Sequence, residues 1–240
     1  MSSQRGFTLV ELLVAMAMST VIILGASTII ISSLDATQQV TQRTSTLGEA
    51  RTGLETLLGQ LNSGCLVDGV SPVLASTTTG ISPAVSSDAS HLVFVSGNGD
   101  SGTATPTEHV VTVSNGALID SAYTYAGNTA SIATPSAWTF HTNTSQVLNL
   151  AEHVTTGSGP MFTYYAYSNY QTSTDSLLNA PALIPPLNTT TAPTVAEVGL
   201  DIRFAPAGSN YNSNTTSELK DAAVFSLTAH DASSQNGPCE

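Results

Sequence analysis

Hydrophobic and polar positions are spread unevenly along the 240 residues of this chain. From Leu12 to Leu34 the sequence reads LLVAMAMSTVIILGASTIIISSL, 23 residues without a charge. About 20 apolar residues cross the ~30 Å hydrocarbon core of a bilayer as a helix, so the run is long enough to span one. Beyond Leu34 the chain turns polar. Val40, Leu47, Ala50, Leu54, Leu57, Leu58 and Leu61 still recur there, and the later ones keep to one helical face. No proline occurs before Pro72, and Asn62-Ser63-Gly64 is a stop signal. One helix is therefore predicted from Phe7 to Leu61, about 80 Å long at 1.5 Å per residue. Gly48, Gly53 and Gly59 either are tolerated in it or mark a close approach to a sheet or a neighbouring helix.

The pattern then changes period. Residues 71–90 are rich in Ser, Thr, Pro and Gly and read as a loop. Short β-like runs follow: HLVFVSG (91–97), HVVTVS (109–114), SQVLNLAEHV (145–154, strand or short helix), MFTYYAYS (161–168), VAEVGLDIRFAP (195–206) and DAAVFSLTAH (221–230). Asn115-Gly116 between two such runs is a hairpin turn signal. One long helix followed by six to eight strands, without helix–strand alternation, predicts an α+β fold. In it the helix lies along an antiparallel sheet, or along two sheets.

Composition narrows the function. Charged residues are 9% of the chain, 41% is hydrophobic, mean hydropathy is +0.13, and the formal net charge is −12. The five cations, Arg5, Arg43, Arg51, Arg203 and Lys220, are too few and too scattered for a nucleic-acid face, so direct nucleic-acid binding is not expected. Two cysteines, Cys65 and Cys239, can form one bridge in an oxidising compartment or remain free thiols. A bridge would close a loop of ~175 residues, stabilising by up to ~5 kcal/mol in the loop-entropy picture.

No nucleotide loop, nucleophile elbow or metal spacing occurs, so no catalytic residue, metal site or cofactor is expected, and the chain reads as a non-enzyme. His91, His109, His141, His153 and His230 read as ordinary surface or strand residues. Asn98, Asp100 and Glu108 read as a solvated loop rather than a calcium site. Tyr164, Tyr165, Tyr167 and Tyr170 read as alternating strand packing rather than an adhesive patch.

The N-terminus carries the sharpest signal. A short MSSQRG flank, positive at Arg5, precedes the apolar run, which places the N-terminus in the cytoplasm and exports the rest. A secretory signal peptide is disfavoured by the length of the run and by Glu11, and a plain anchor explains the length but not Glu11. Ionisable groups inside membranes are expensive and mark function by default. The segment RGFTLVELLVAM, from Arg5 to Met16, resembles the prepilin cleavage motif of type IV pilins and type II secretion pseudopilins.

That resemblance implies cleavage between Gly6 and Phe7 by a prepilin peptidase, followed by N-methylation of the new Phe7 amine by the same enzyme. Gly6 suits the step because it lets the backbone extend into a protease site. Glu11 would then act in assembly registration, neutralising the Phe7 amine of a neighbouring subunit in a low-dielectric filament core. Other implied partners are further pilin or pseudopilin subunits, an inner-membrane assembly platform, and membrane lipid before assembly.

A second stretch, EARTGLETLL (Glu49–Leu58), is similar to one found in J-type minor pseudopilins and W-type minor pilins, although it lacks their usual Arg-Asp pair. The order of β-like runs is similar too. The implied organisation is a leader at 1–6, a transmembrane or assembly half-helix at 7–34, an exported amphipathic half at 35–64, and a β-rich head at 65–240. Removing the leader leaves four cations against 17 acids, or −13. The resemblance thus implies a minor pilin or pseudopilin of a type IV pilus, type II secretion or DNA-uptake filament. The competing reading is a membrane-anchored adhesin that never polymerises.

Overall fold

The computed structural model describes residues 8–65, 71–77, 84–98, 105–127, 138–155, 159–166, 182–205 and 216–225. It divides into two units, Met1–Ser45 and Thr46–Glu240. Helix α1 (Leu9–Asn62) runs through the boundary between them. It ends where the sequence signals a stop, with Ser63 in a turn.

In the first unit every large apolar side chain of the helix, from Leu9 at 80% exposure to Val40 at 64%, faces outward. In the second unit the helix has a dry stripe, Ala50, Gly53, Leu54, Leu57 and Leu61. Gly53 is required in that stripe. A Cβ there would meet the carbonyl oxygen of Leu150 at 1.7 Å, so only a bare backbone lets helix and sheet come this close. Gly48 and Gly59 have open space around them and are simply tolerated.

The first sheet is an antiparallel meander of β1 (His91–Asn98), β2 (Thr105–Ser114), β3 (Ala117–Thr124) and β4 (Gln146–Ala151). Asn115 and Gly116, with φ of 52° and 76°, make the β2–β3 turn. Positive φ at both positions matches the right-handed twist of the flanking strands, and Asn and Gly tolerate it best. The second sheet is built on β8 (Val195–Phe204). It pairs with β5 (Val154–Thr155), β6 (Phe162–Ala166) and β9 (Ser217–Val224), while β6 carries β7 (Ala182–Leu183).

Alternation in β6 and β8 is realised as read. Phe162, Tyr164 and Ala166, and Val198, Leu200, Ile202 and Phe204, are buried. Leu54, Leu57 and Leu61 join Leu92, Phe94, Val111, Leu118 and Leu150 of the first sheet and the β6 and β8 side chains in one core. Burial is the driving force, at about 1.5–3 kcal/mol for each large apolar side chain. A smaller cluster of Cys65, Val95, Trp138 and Phe140 forms beside it.

Three expectations shift. The loop expected at 98–108 is shorter, because β2 begins at Thr105, and Glu108 is a fully buried strand residue rather than part of a solvated loop. Asp100 lies outside the described residues. The last strand falls at 217–224 rather than 221–230, because SELKDAAV pairs with β8 from Glu197 to Phe204. Residues 226–230 lie outside the described residues. The 145–154 segment is two strands, β4 and β5, separated by a tight bend in which His153 has a φ of 59°.

Candidate functional site

The helix start is built by its own first residues. Thr8 precedes the first helical residue, Leu9, and Glu11 stands three positions after it. The Glu11 backbone N–H donates to Thr8 Oγ1 at 3.3 Å. In return, Glu11 Oε2 accepts the Thr8 backbone N–H at 3.0 Å and the Thr8 hydroxyl at 3.1 Å. This is a capping box, in which two otherwise orphaned donors at the helix end are satisfied reciprocally. The Thr-x-x-Glu spacing that signals it is present in the sequence, although the adjoining apolar run is the louder signal. Arg5, Gly6 and Phe7 lie outside the described residues.

Past the cap, α1 is long and apolar enough to cross a membrane. Its hydroxyls do not spoil that surface. Ser19, Thr20, Ser27, Thr28 and Ser32 each donate to a backbone carbonyl three or four residues back, at 2.7–2.9 Å. Such back-bonding hides the polar atom against the helix, which is what hydrocarbon demands. The large side chains exposed along this stretch are Leu, Val, Ile and Met.

In the head, Cys65 is fully buried beside Val95 and Trp138 and is not a free thiol. Cys239 lies outside the described residues. Among the described residues no group of three or more His, Cys, Asp and Glu side chains is placed to hold a metal ion. Tyr164 is buried, its hydroxyl 3.0 and 2.9 Å from the carbonyl oxygens of Asp88 and His91, and burial pushes its pKa up. Tyr165 is half-buried, while Tyr167 and Tyr170 lie outside the described residues.

His109 is a strand residue, as expected, but with partners that the sequence does not announce. His109 is buried on β2 and connects three strands. Its Nε2 is 2.8 Å from Ser96 Oγ on β1, and its Nδ1 is 2.9 Å from Asp120 Oδ2 on β3. Phe94 stacks on the ring at 4.8 Å. Exposures of 1% for Ser96, 3% for His109 and 0% for Asp120 put this relay within the packed sheet. Residues so far apart in sequence give no spacing signal. The strand register alone brings them together.

Residues 1–27 match the family model for the prokaryotic N-terminal methylation motif. No curated protein and no solved structure matches the chain. The chain therefore carries the prepilin-type motif of type IV pilins and pseudopilins. That motif implies processing by a prepilin peptidase and assembly with other pilin subunits, and together with the apolar helix it fits a membrane-anchored, type IV pilin-like protein.

Proposed function

We propose that this protein is a non-enzymatic filament subunit, a minor pilin or pseudopilin of a type IV pilus, type II secretion or DNA-uptake filament. The carrying observation is continuity: the methylation motif at residues 1–27 opens directly onto a helix whose large apolar side chains stay exposed as far as Val40. Such a surface is stable only against lipid or other helices. Before assembly lipid covers it, with the N-terminus in the cytoplasm and the head exported. After cleavage between Gly6 and Phe7 and methylation of Phe7, neighbouring helices replace the lipid as the assembly platform extracts the subunit.

Glu11 then serves a second purpose beyond its cap. Its Oε2 already accepts two Thr8 donors, and the carboxylate has further lone pairs for a neighbour's Phe7 amine. Burying either charge alone is costly, so the pair fixes axial register. The minor role is supported by the large head and the Glu49–Leu58 stretch. A Cys65–Cys239 bridge is supported by a chain with two cysteines in which Cys65 is not free.

Glu11→Ala tests the reading. Processing and membrane insertion should persist, while recovery in the sheared filament fraction should fall sharply. Normal incorporation of Glu11→Ala would refute the registration role. Processed wild-type protein that never enters filaments would favour the anchored adhesin.

A further inference from the structure

Within the second unit, α1 has two different flanks beside its dry stripe. On one, Gly48, Glu49, Thr52 and Thr56 face Asn149 and Glu152 at the end of β4 across an open groove of about 580 Å³. Glu152 is oriented by Asn149, whose Nδ2 donates to Oε1 at 3.1 Å. Glu49 is exposed and has no hydrogen-bond or ion-pair partner among the described residues. Gly48 adds bare backbone with open space around it: a Cβ at this position would meet nothing within 4 Å, which leaves room beside the two carboxylates.

Arg51 lies two residues past Glu49, and so about 160° around the helix at 3.6 residues per turn. It is exposed and likewise has no partner among the described residues. The two cations of the second sheet are committed elsewhere. Arg203 bonds Glu218 at 3.0 Å, and Lys220 bonds Glu218 at 3.2 Å and Asp201 at 3.4 Å.

We propose that the Glu49–Glu152 groove receives the Arg51 flank of a second copy. The guanidinium is a planar fork of donors that suits paired carboxylate oxygens. The two complementary flanks point away from each other on one helix, so a single copy cannot satisfy itself. The contact is therefore heterologous. Glu55, one turn beyond Arg51 on the same flank, opposes the pairing. This inference rests on the filament-subunit reading.

The test uses the full-length processed protein in membranes and filaments, with a benzophenone amino acid at Thr56. Ultraviolet cross-linking should join Thr56 to residues 47–58 of a second copy. Arg51→Glu should lower the yield about tenfold, as for a close interfacial charge pair. Adding Glu49→Arg and Glu152→Arg to Arg51→Glu should restore it, and Glu55→Gln should raise it. All substituted residues are solvent-facing, and an unchanged protease-resistant head confirms folding. Cross-linking to a different protein or segment, or equal yield from Arg51→Glu in filaments that do form, overturns this contact alone. Processed wild type absent from filaments overturns both this contact and the filament reading.

Discussion

Replacing Asp120 by alanine should be among the most damaging single changes in the head. Its carboxylate is fully buried and 2.9 Å from His109 Nδ1, and the imidazole itself is only 4% exposed. Without Asp120, the Nδ1 side of a buried ring loses its acceptor, and water cannot replace it in a packed sheet. Leaving a buried donor without its acceptor costs about 1–3 kcal/mol. A domain commonly has only about 5–15 kcal/mol in total. At about 2–4 °C per kcal/mol for a domain of this size, the melting temperature should fall by about 2–12 °C. Asp120→Asn keeps an acceptor and should cost less, nearer the ~1 kcal/mol of an ordinary hydrogen bond.

Trp138 supplies the assay. It is the only tryptophan, it is 5% exposed, and it lies in the cluster beside Cys65. Its fluorescence during urea unfolding of detergent-solubilised full-length protein reports the head. The double variant His109→Leu with Asp120→Leu should recover much of the loss, because apolar replacement of a whole buried pair is often neutral. If Asp120→Ala costs less than about 1 kcal/mol, a value typical of one ordinary hydrogen bond, the reasoning about this relay is wrong.

Two further predictions use the same assay. Gly53→Val forces a Cβ onto the Leu150 carbonyl and should destabilise by at least ~1–3 kcal/mol, whereas Gly48→Ala and Gly59→Ala, in open space, should stabilise by roughly 0.4–1 kcal/mol. Burial alone would raise the pKa of Asp88, but donation from the Ser90 and His91 amides and the His91 ring holds it below its ordinary range. Its stabilising contribution is thus present above the unfolded-state pKa and lost as pH falls through the lower folded one. Asp88→Asn should therefore lower the urea midpoint at neutral pH and flatten its decline in acid.

What can be read from the sequence follows from the range of each interaction. The helix, its end at Asn62 and its buried face are legible because they depend on residues three or four apart. The Asn115-Gly116 hairpin and the alternation of β6 and β8 are legible for the same local reason. β7 is two residues long and exists only by pairing with Tyr164 and Tyr165, so no local pattern marks it. The last strand lies earlier than its apolar residues, AVFSL, suggest. It includes SELK, whose Glu218 and Lys220 belong to a cross-strand charge cluster with Asp201 and Arg203. The Ser96–His109–Asp120 relay is illegible for lack of any sequence proximity. At the N-terminus the motif is legible in full, and the structure adds that Glu11 also caps its own helix through Thr8.

The central claim is that Gly6–Phe7 is cut and that the exposed helix then begins with a modified amine. Mass spectrometry of the N-terminal peptide from membrane-extracted protein tests it directly. The expected chain begins with N-methyl-Phe7. An intact Met1, or a chain beginning near Ser27, would contradict it.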